Sequence, residues 1–299
     1  MPNAIKPADE YTHAWGKEKD WRESYYFNFV NHDKKASGFT TIGILPNQQK
    51  AEFVLALFHE DKQTLYYKEQ QISENNQVST VFSNKSLTYK LIEPMRKWEI
   101  KLISENLNLQ TQWEARFSPF NFGICSGTSW EGHFEQSGIV KGEATLPNAA
   151  KIQISGYSQR DKSWGKRNWH IQNWFALHAQ FQKYAIGLRR DTVNSVQHVS
   201  GGLSAGRKQN AVSEIDVEMI YGKGDHENPT GALTRMLFGD GKTATLQSRL
   251  ISPKSFAKFS RLFPEGSTEL FEGMAIHECR ETGEKGTGLI EFLFTRSKQ

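Results

Sequence analysis

Three short stretches set ionisable side chains into otherwise apolar sequence: WRESYYF at 21–27, GHFEQSG at 132–138 and QRDKSWG at 159–165. They supply Arg22, Glu23 and Tyr25, then His133, Glu135 and Gln136, then Arg160, Asp161 and Trp164. A carboxyl group in apolar β-structure is costly unless paired or hydrogen-bonded, and desolvation lifts its pKa above the ordinary value of about 3.9 for Asp. Such a group can act as a general acid. The third stretch runs on through GKRNWHIQNW to 174, so Trp164, Trp169 and Trp174 fall close together in a chain with 8 Trp among 299 residues.

The residues alone leave two readings open. In one, Asp161 is an acid in an apolar pocket. In the other, Asp161 and Arg160 or Arg167 form a buried pair that clasps two domains, the tryptophans fill the core between them, and His133 is a satisfied core histidine. Other motifs fail. GDGKT at 239–243 would need Gly at 236 to be a phosphate loop, and Met236 stands there. DKSWG at 161–165 lacks the first glycine and the strand–turn–helix setting of a nucleophile elbow, so Ser163 is no nucleophile. GEKGTG at 283–288 has the wrong spacing for a dinucleotide, and His133 with Glu135 lacks a further ligand at metal spacing.

The elements that must position these residues read as strands. Trp98, Ile100 and Leu102 alternate with polar residues, as do Leu109, Thr111, Trp113, Ala115 and Phe117, and Ile215, Val217, Met219 and Tyr221. Turn clusters separate the runs, among them NHDKKASG at 31–38, SENNQ at 73–77, FGDGK at 238–242 and ETGEKGTG at 281–288. Frequent turns between short strands indicate an all-β fold. The best helical candidate is SPKSFAKFSRLF at 252–263, closed by Pro264. SYYFNFVNHDKKASGFTTIG and NWFALHAQFQKYAIGLRR open two similar halves, with TLPNAAK at 145–151 as the expected joint. The division expected is 1–147 and 148–299.

Composition narrows the function classes. Basic residues number 37 against 33 acidic, a net charge of +4 spread along the chain, which offers no stripe for nucleic acid. Cys125 and Cys279 form no CxxC and are expected to be reduced thiols. The start has no apolar leader, and the apolar run FVLALF at 53–58 is too short to span a bilayer. A cytoplasmic protein is expected, with peripheral membrane contact compatible.

HFEQSGIVKGEATL at 133–146, followed by GYSQRDKSWGKRNW at 156–169, resembles the signature of a two-domain lipocalin-like family. That family includes carotenoid 1,2-hydratase (hydroxyneurosporene synthase) and AttH-type proteins, and is related to tocopherol cyclase. WRESYYFNF and FEGMAIHECRETGEKGTGLIEFLF resemble its ends, so the likeness covers nearly the whole chain. The resemblance implies two consecutive lipocalin-like (calycin) β-barrels and acid chemistry on isoprenoid substrates, in which a protonated double bond is captured by water or an internal hydroxyl. Lys162 stands where the family usually has His, and Ser158 where it often has Gly.

With the resemblance added, the expectation is a hydratase, cyclase or isomerase of an apolar unsaturated isoprenoid or polyketide-like substrate, with no cofactor and no metal. Asp161 is the expected proton donor, with Arg160 and Glu135 to orient or tune it and His133 as a relay. Tyr25, Trp164, Trp169 and Trp174 are expected to line the substrate pocket. The rival expectation is a non-enzymatic carrier of apolar molecules in which RDKSWG is a structural clasp.

Overall fold

A computed structural model describes residues 5–72, 80–123, 130–225 and 227–298. Period-two alternation becomes strand throughout, and among the described residues there is no α-helix, only the 3-10 turns Pro7–Glu10 and Pro46–Gln48. The SENNQ turn and Cys125 lie outside the described residues, while Cys279 is a buried free thiol. No helix among the described residues is long and apolar enough to cross a membrane.

The chain divides into two compact units at Arg167/Asn168. The first holds β1 (Trp21–Asn31), β2 (Ala36–Leu45), β3 (Lys50–His59), β4 (Lys62–Gln71), β5 (Val81–Ser83) and β6 (Leu87–Glu93). It continues with β7 (Lys97–Ile103), β8 (Asn108–Ala115), β9 (Phe120–Asn121), β10 (Gly132–Thr145) and β11 (Lys151–Lys166). They form one antiparallel sheet in the order β4-β3-β2-β1-β11-β10-β8-β7-β6-β5, with β9 beside β10. The Pro-Asn turn at 147–148, expected to be the joint, is instead the hairpin between β10 and β11, which pair with each other from Gly132 opposite Trp164 to Thr145 opposite Lys151. Strand β11 therefore belongs with the first unit, and the contacts divide after it.

The second unit holds β12 (Asn173–Gln180), β13 (Ala185–Val193), β14 (Val196–Ala205), β15 (Lys208–Tyr221), β16 (Pro229–Phe238), β17 (Thr243–Leu250), β18 (Phe256–Phe263), β19 (Gly266–Cys279) and β20 (Lys285–Ser297). Strand β17 pairs with both β16 and β19, so eight strands close into a barrel and β18 hangs on β19 outside the ring. The segment at 252–263 is thus a strand and not a helix. A helix that short is marginal on its own, whereas the Pro-Glu-Gly turn after Phe263 lets it hairpin onto β19 in full register.

In the first unit the core side of the sheet is aromatic: Tyr25, Phe27, Tyr89, Trp98 and Trp113 are all buried there. The indole N–H groups of Trp98 and Trp113 have no acceptor among the described residues, at a cost of about 1–3 kcal/mol each. Burying roughly 150–250 Å² of each ring returns about 4–6 kcal/mol, so apolar burial wins. Strand β1 is buried on both faces, a long run rather than a clean alternation. One face carries Glu23, Tyr25 and Phe27, and the other carries Arg22, Ser24, Tyr26 and Asn28.

Candidate active site

Register on β1, β10 and β11 sorts the candidate residues onto two faces. Tyr25 lies opposite Lys162, and Lys162 opposite Phe134; Phe27 lies opposite Arg160, and Arg160 opposite Gln136. These belong to the core face. Arg160 is fully buried and forms a two-pronged ion pair with Glu10, at 2.9 Å from Nη1 and 2.6 Å from Nη2. Its Nε and Nη2 also donate to Gln136 Oε1 at 3.0 and 2.7 Å, and Gln136 Nε2 donates to the carbonyls of Met95 and Phe117. Tyr25 Oη donates to the Glu10 carbonyl, and burial, then the Glu10 charge, pushes the phenol well up.

Lys162, also fully buried, pairs with Glu23 and lies 4.4 Å from the Tyr25 ring centre and 5.2 Å from that of Trp164. Burial drives its pKa well down, against the opposing pull of Glu10 and Asp9. His13 Nδ1 meets the same Glu23 carboxylate at 2.9 Å, and the imidazole stacks on Trp164 with ring centres 3.7 Å apart. Burial, then the nearby Lys162 charge, lowers His13 to about 4. Trp164 lies over Gly132, where a Cβ would come within 2.1 Å of the indole, which is why glycine stands there. Gly165, at φ +122°, also passes close to the Glu131 backbone, where a Cβ would come within 2.5 Å of its nitrogen.

The opposite face brings the carboxylates together. Glu135 on β10 lies directly across from Asp161 on β11, and Asp161 directly across from Tyr26 on β1. Opposed side chains on neighbouring strands have Cβ atoms about 4.5–5.5 Å apart, close enough for each carboxyl group to feel the other's charge. Glu135 is 3% exposed, Tyr26 6% and Asp161 half-buried. Gln159 Nε2 donates to Glu135 Oε2 at 2.5 Å, and His133 Nε2 stands 3.7 Å from Glu135 Oε1. The His133 ring is bracketed by Phe122 and Trp130 at 4.5 and 4.6 Å. Ser163 Oγ, on this face, accepts from Arg167 Nη2 at 2.9 Å. Arg22 reaches Ser24 and Glu52, and although burial favours the neutral acid, Arg22 and Lys50 hold Glu52 down to about 2.

Sequence reasoning brought Asp161, Glu135 and His133 to one place, and the structure puts them on one face. Arg160 and Tyr25 are corrections. Strand alternation turns both away from Asp161 into the core, where Arg160 answers Glu10 and Tyr26 takes the place expected for Tyr25. Lys162, the departure from the family pattern, also points to the core side. Trp164 does the same, so it does not wall the face that carries Asp161. Trp169 and Trp174 belong to the second unit. There Trp174 is buried, its Nε1 donating to Glu291 Oε1 at 2.5 Å and its ring 3.9 Å beneath Arg189; Trp169 packs on it at 5.7 Å. Glu10, Tyr26 and Gln159 were missed. Counting by twos from Arg22 and from Asp161 would have found Tyr26 and Gln159; nothing local marks Glu10.

A void lined by Phe27, Phe39, Leu55 and Trp113 has only about 20 Å³, room for one water and far short of the several hundred needed by an apolar ligand. An open cleft of about 680 Å³, lined by Leu65, Tyr66, Ile103 and Glu105, holds none of the candidate residues. Chemistry, not size, singles out the Glu135–Asp161 face. Among the described residues no group of three or more His, Cys, Asp or Glu is placed to hold a metal.

The sequence profile of a family described as a domain of unknown function, DUF7064, matches residues 6–296. No curated protein matches the chain. Solved structures do. An AttH-like protein of Nitrosomonas europaea superposes with a TM-score of 0.73 at 13% identity, covering 98% of each chain. CghA with Sch210972 gives 0.65 at 10%, covering 99% of this chain and 95% of that one. Kievitone hydratase from Nectria haematococca gives 0.66 at 9%, covering 97% and 93%. At these identities the likeness establishes the two-unit, lipocalin-like β fold.

Proposed function

This chain belongs to the DUF7064 family, and we propose that it catalyses acid-initiated hydration, cyclisation or isomerisation of an apolar unsaturated small molecule, isoprenoid or polyketide-like, with Asp161 as proton donor. The Asp161 proton passes to one alkene carbon, the π electrons form the new C–H bond, and positive charge is left on the other carbon. In hydration, water forms the C–O bond there and returns a proton to the carboxylate. In cyclisation an internal hydroxyl does the same; in isomerisation a neighbouring C–H proton goes back to the carboxylate and the double bond moves. Glu135, as a carboxylate, stabilises the cation. The step draws on the carboxyl proton and water alone.

The observation that carries this reading is the direct opposition of a buried Glu135 and a half-buried Asp161 on one sheet face beside Tyr26. A carboxyl group held beside a carboxylate keeps its proton to higher pH, as a general acid must. The names of two structural neighbours agree with it: one is a hydratase, and one was crystallised with a small molecule.

The test is turnover in deuterated water with a panel of prenylated and polyene compounds. The expected product carries solvent deuterium on carbon in the wild type. Turnover that leaves every carbon unlabelled would rule out alkene protonation.

A further inference from the structure

The geometry points to a carboxylate-binding site on the core side of the first unit, clamped by Arg160 and the Met95 amide and filled by Glu10 from the chain's own N-terminal segment. The ligand that takes Glu10's place is a carboxylate with an apolar or aromatic body. The site lies on the face of β11 turned away from Asp161, so it stands or falls apart from the proposed reaction.

Two parts of the fold converge on the Glu10 carboxylate. Arg160 on β11 grips it with Nη1 and Nη2 at 2.9 and 2.6 Å, and the Met95 N–H, in the turn between β6 and β7, donates to Oε1 at 2.7 Å. A two-pronged guanidinium fork is how arginine recognises a carboxylate ligand. The sheet aims this fork without help from Glu10. Gln136 Oε1 on β10 accepts from Arg160 Nε and Nη2, and Gln136 Nε2 is pinned to the Met95 and Phe117 carbonyls. The rings of Trp113 and Phe134, each centred 5.1 Å from the guanidinium carbon, wall the clamp.

The group that fills the clamp belongs to a strap and not to the sheet. Residues 5–20 have the turn Pro7–Glu10 as their one regular element. The strap is held by His13 on Glu23 and Trp164, and by Asn47 and Gln48 on the carbonyls of Gly16, Glu18 and Lys19. Tyr11 packs against the aromatic core, so the strap presents a carboxylate and an aromatic ring side by side, and that pairing sets the chemistry of the ligand. A buried ion pair is a poor fastener, because the water lost by both charges offsets most of their attraction. A fully buried guanidinium aimed by its own sheet is better accounted for as a receptor. Lifting the strap carries Glu10 away and leaves Arg160 without its counter-charge beside the Glu23–Lys162 pair, a charge that an incoming carboxylate neutralises.

The test has two arms, both on the full chain. In Glu10→Ala, sodium acetate, the fragment that the substitution deletes, should raise the melting temperature saturably by about 5 °C or more over sodium chloride at equal ionic strength, and acetamide should not. In Glu10→Gln, whose amide still fills the clamp, acetate should add nothing beyond chloride. If Glu10→Ala does not fold in chloride, its refolding yield in acetate is the readout. In the wild type the tethered Glu10 competes at roughly millimolar effective concentration, so phenylbutyrate is added at about 10 mM or more. It should speed hydrogen exchange of the His13 N–H, which rests on Glu23 Oε2, by about tenfold as the strap lifts. The Met95 N–H, bonded anew to the incoming carboxylate, should stay protected, and the neutral phenylbutyramide should leave both amides unchanged. Acetate without effect on Glu10→Ala, in melting or in refolding, would overturn the assignment. So would wild-type exchange that phenylbutyrate leaves unchanged or speeds equally at both amides, since a merely structural ion pair predicts the first and general unfolding the second.

Discussion

Acid should weaken the second unit through one histidine. His277 on β19 is fully buried, with Nδ1 2.8 Å from Ser248 Oγ on β17. Burial lowers its pKa from 6.5 to about 3; a hydrogen bond with the His178 backbone opposes this, and the charge of the neighbouring His178 adds a lesser push downward. The folded protein therefore holds a neutral imidazole where the unfolded chain would bind a proton. Stability from this group is complete above pH 6.5 and is lost progressively as pH falls toward 3. At about 1.4 kcal/mol per pH unit the whole interval is worth roughly 5 kcal/mol, of which roughly 3 is gone by pH 4.5. His277→Asn keeps an acceptor near Nδ1 for Ser248 but cannot titrate. Urea unfolding of both proteins should show a wild-type advantage at pH 7 that shrinks by about 3 kcal/mol at pH 4.5. His13, lowered to about 4, adds acid sensitivity to both proteins and cancels in the comparison. Stability curves that run parallel between pH 6.5 and 4.5 would refute the reasoning.

Glu10→Gln leaves the buried Arg160 without its counter-charge and should cost about 3–5 kcal/mol in denaturant unfolding; a loss under 1 would contradict the pairing. Lys162→His, which restores the residue usual in the resembling family, changes the core side of β11, so melting temperature should fall while turnover stays within about threefold, a change in rate worth less than 1 kcal/mol of barrier. A tenfold change in rate at unchanged melting temperature would contradict that placement. Gly132→Ala forces a methyl against the Trp164 ring and should destabilise by about 1–3 kcal/mol, with a shift in tryptophan emission as its mark.

Alternation made the strands legible, and the pairing of His133, Glu135 and Asp161 followed from their stretches lying in β10 and β11. The same alternation also carried the parity that sorts Arg160 from Asp161 and Tyr25 from Tyr26, but β1 is buried on both faces, so hydrophobicity alone did not reveal which side was core. Glu10 sits in a 3-10 turn ahead of the sheet, and only the folded chain brings it to Arg160. The Pro-Asn turn at 147–148 has the composition of any loop, whether joint or hairpin. The strand at 256–263 reads as helix because its phenylalanines are spaced by three and four, and the hairpin partner that overrides this lies beyond the window. Closure of the second sheet rests on the β17–β19 pairing, a long-range register that no local pattern encodes.

The most direct test of the account is Asp161→Asn, with deuterium incorporation into product and melting temperature measured on the same preparation. The amide keeps the shape of the carboxyl group but has no acid proton to give. The account predicts a folded protein, melting within a few degrees of the wild type, with labelling slowed by about 10²-fold or more. A folded variant that labels product at the wild-type rate would contradict it.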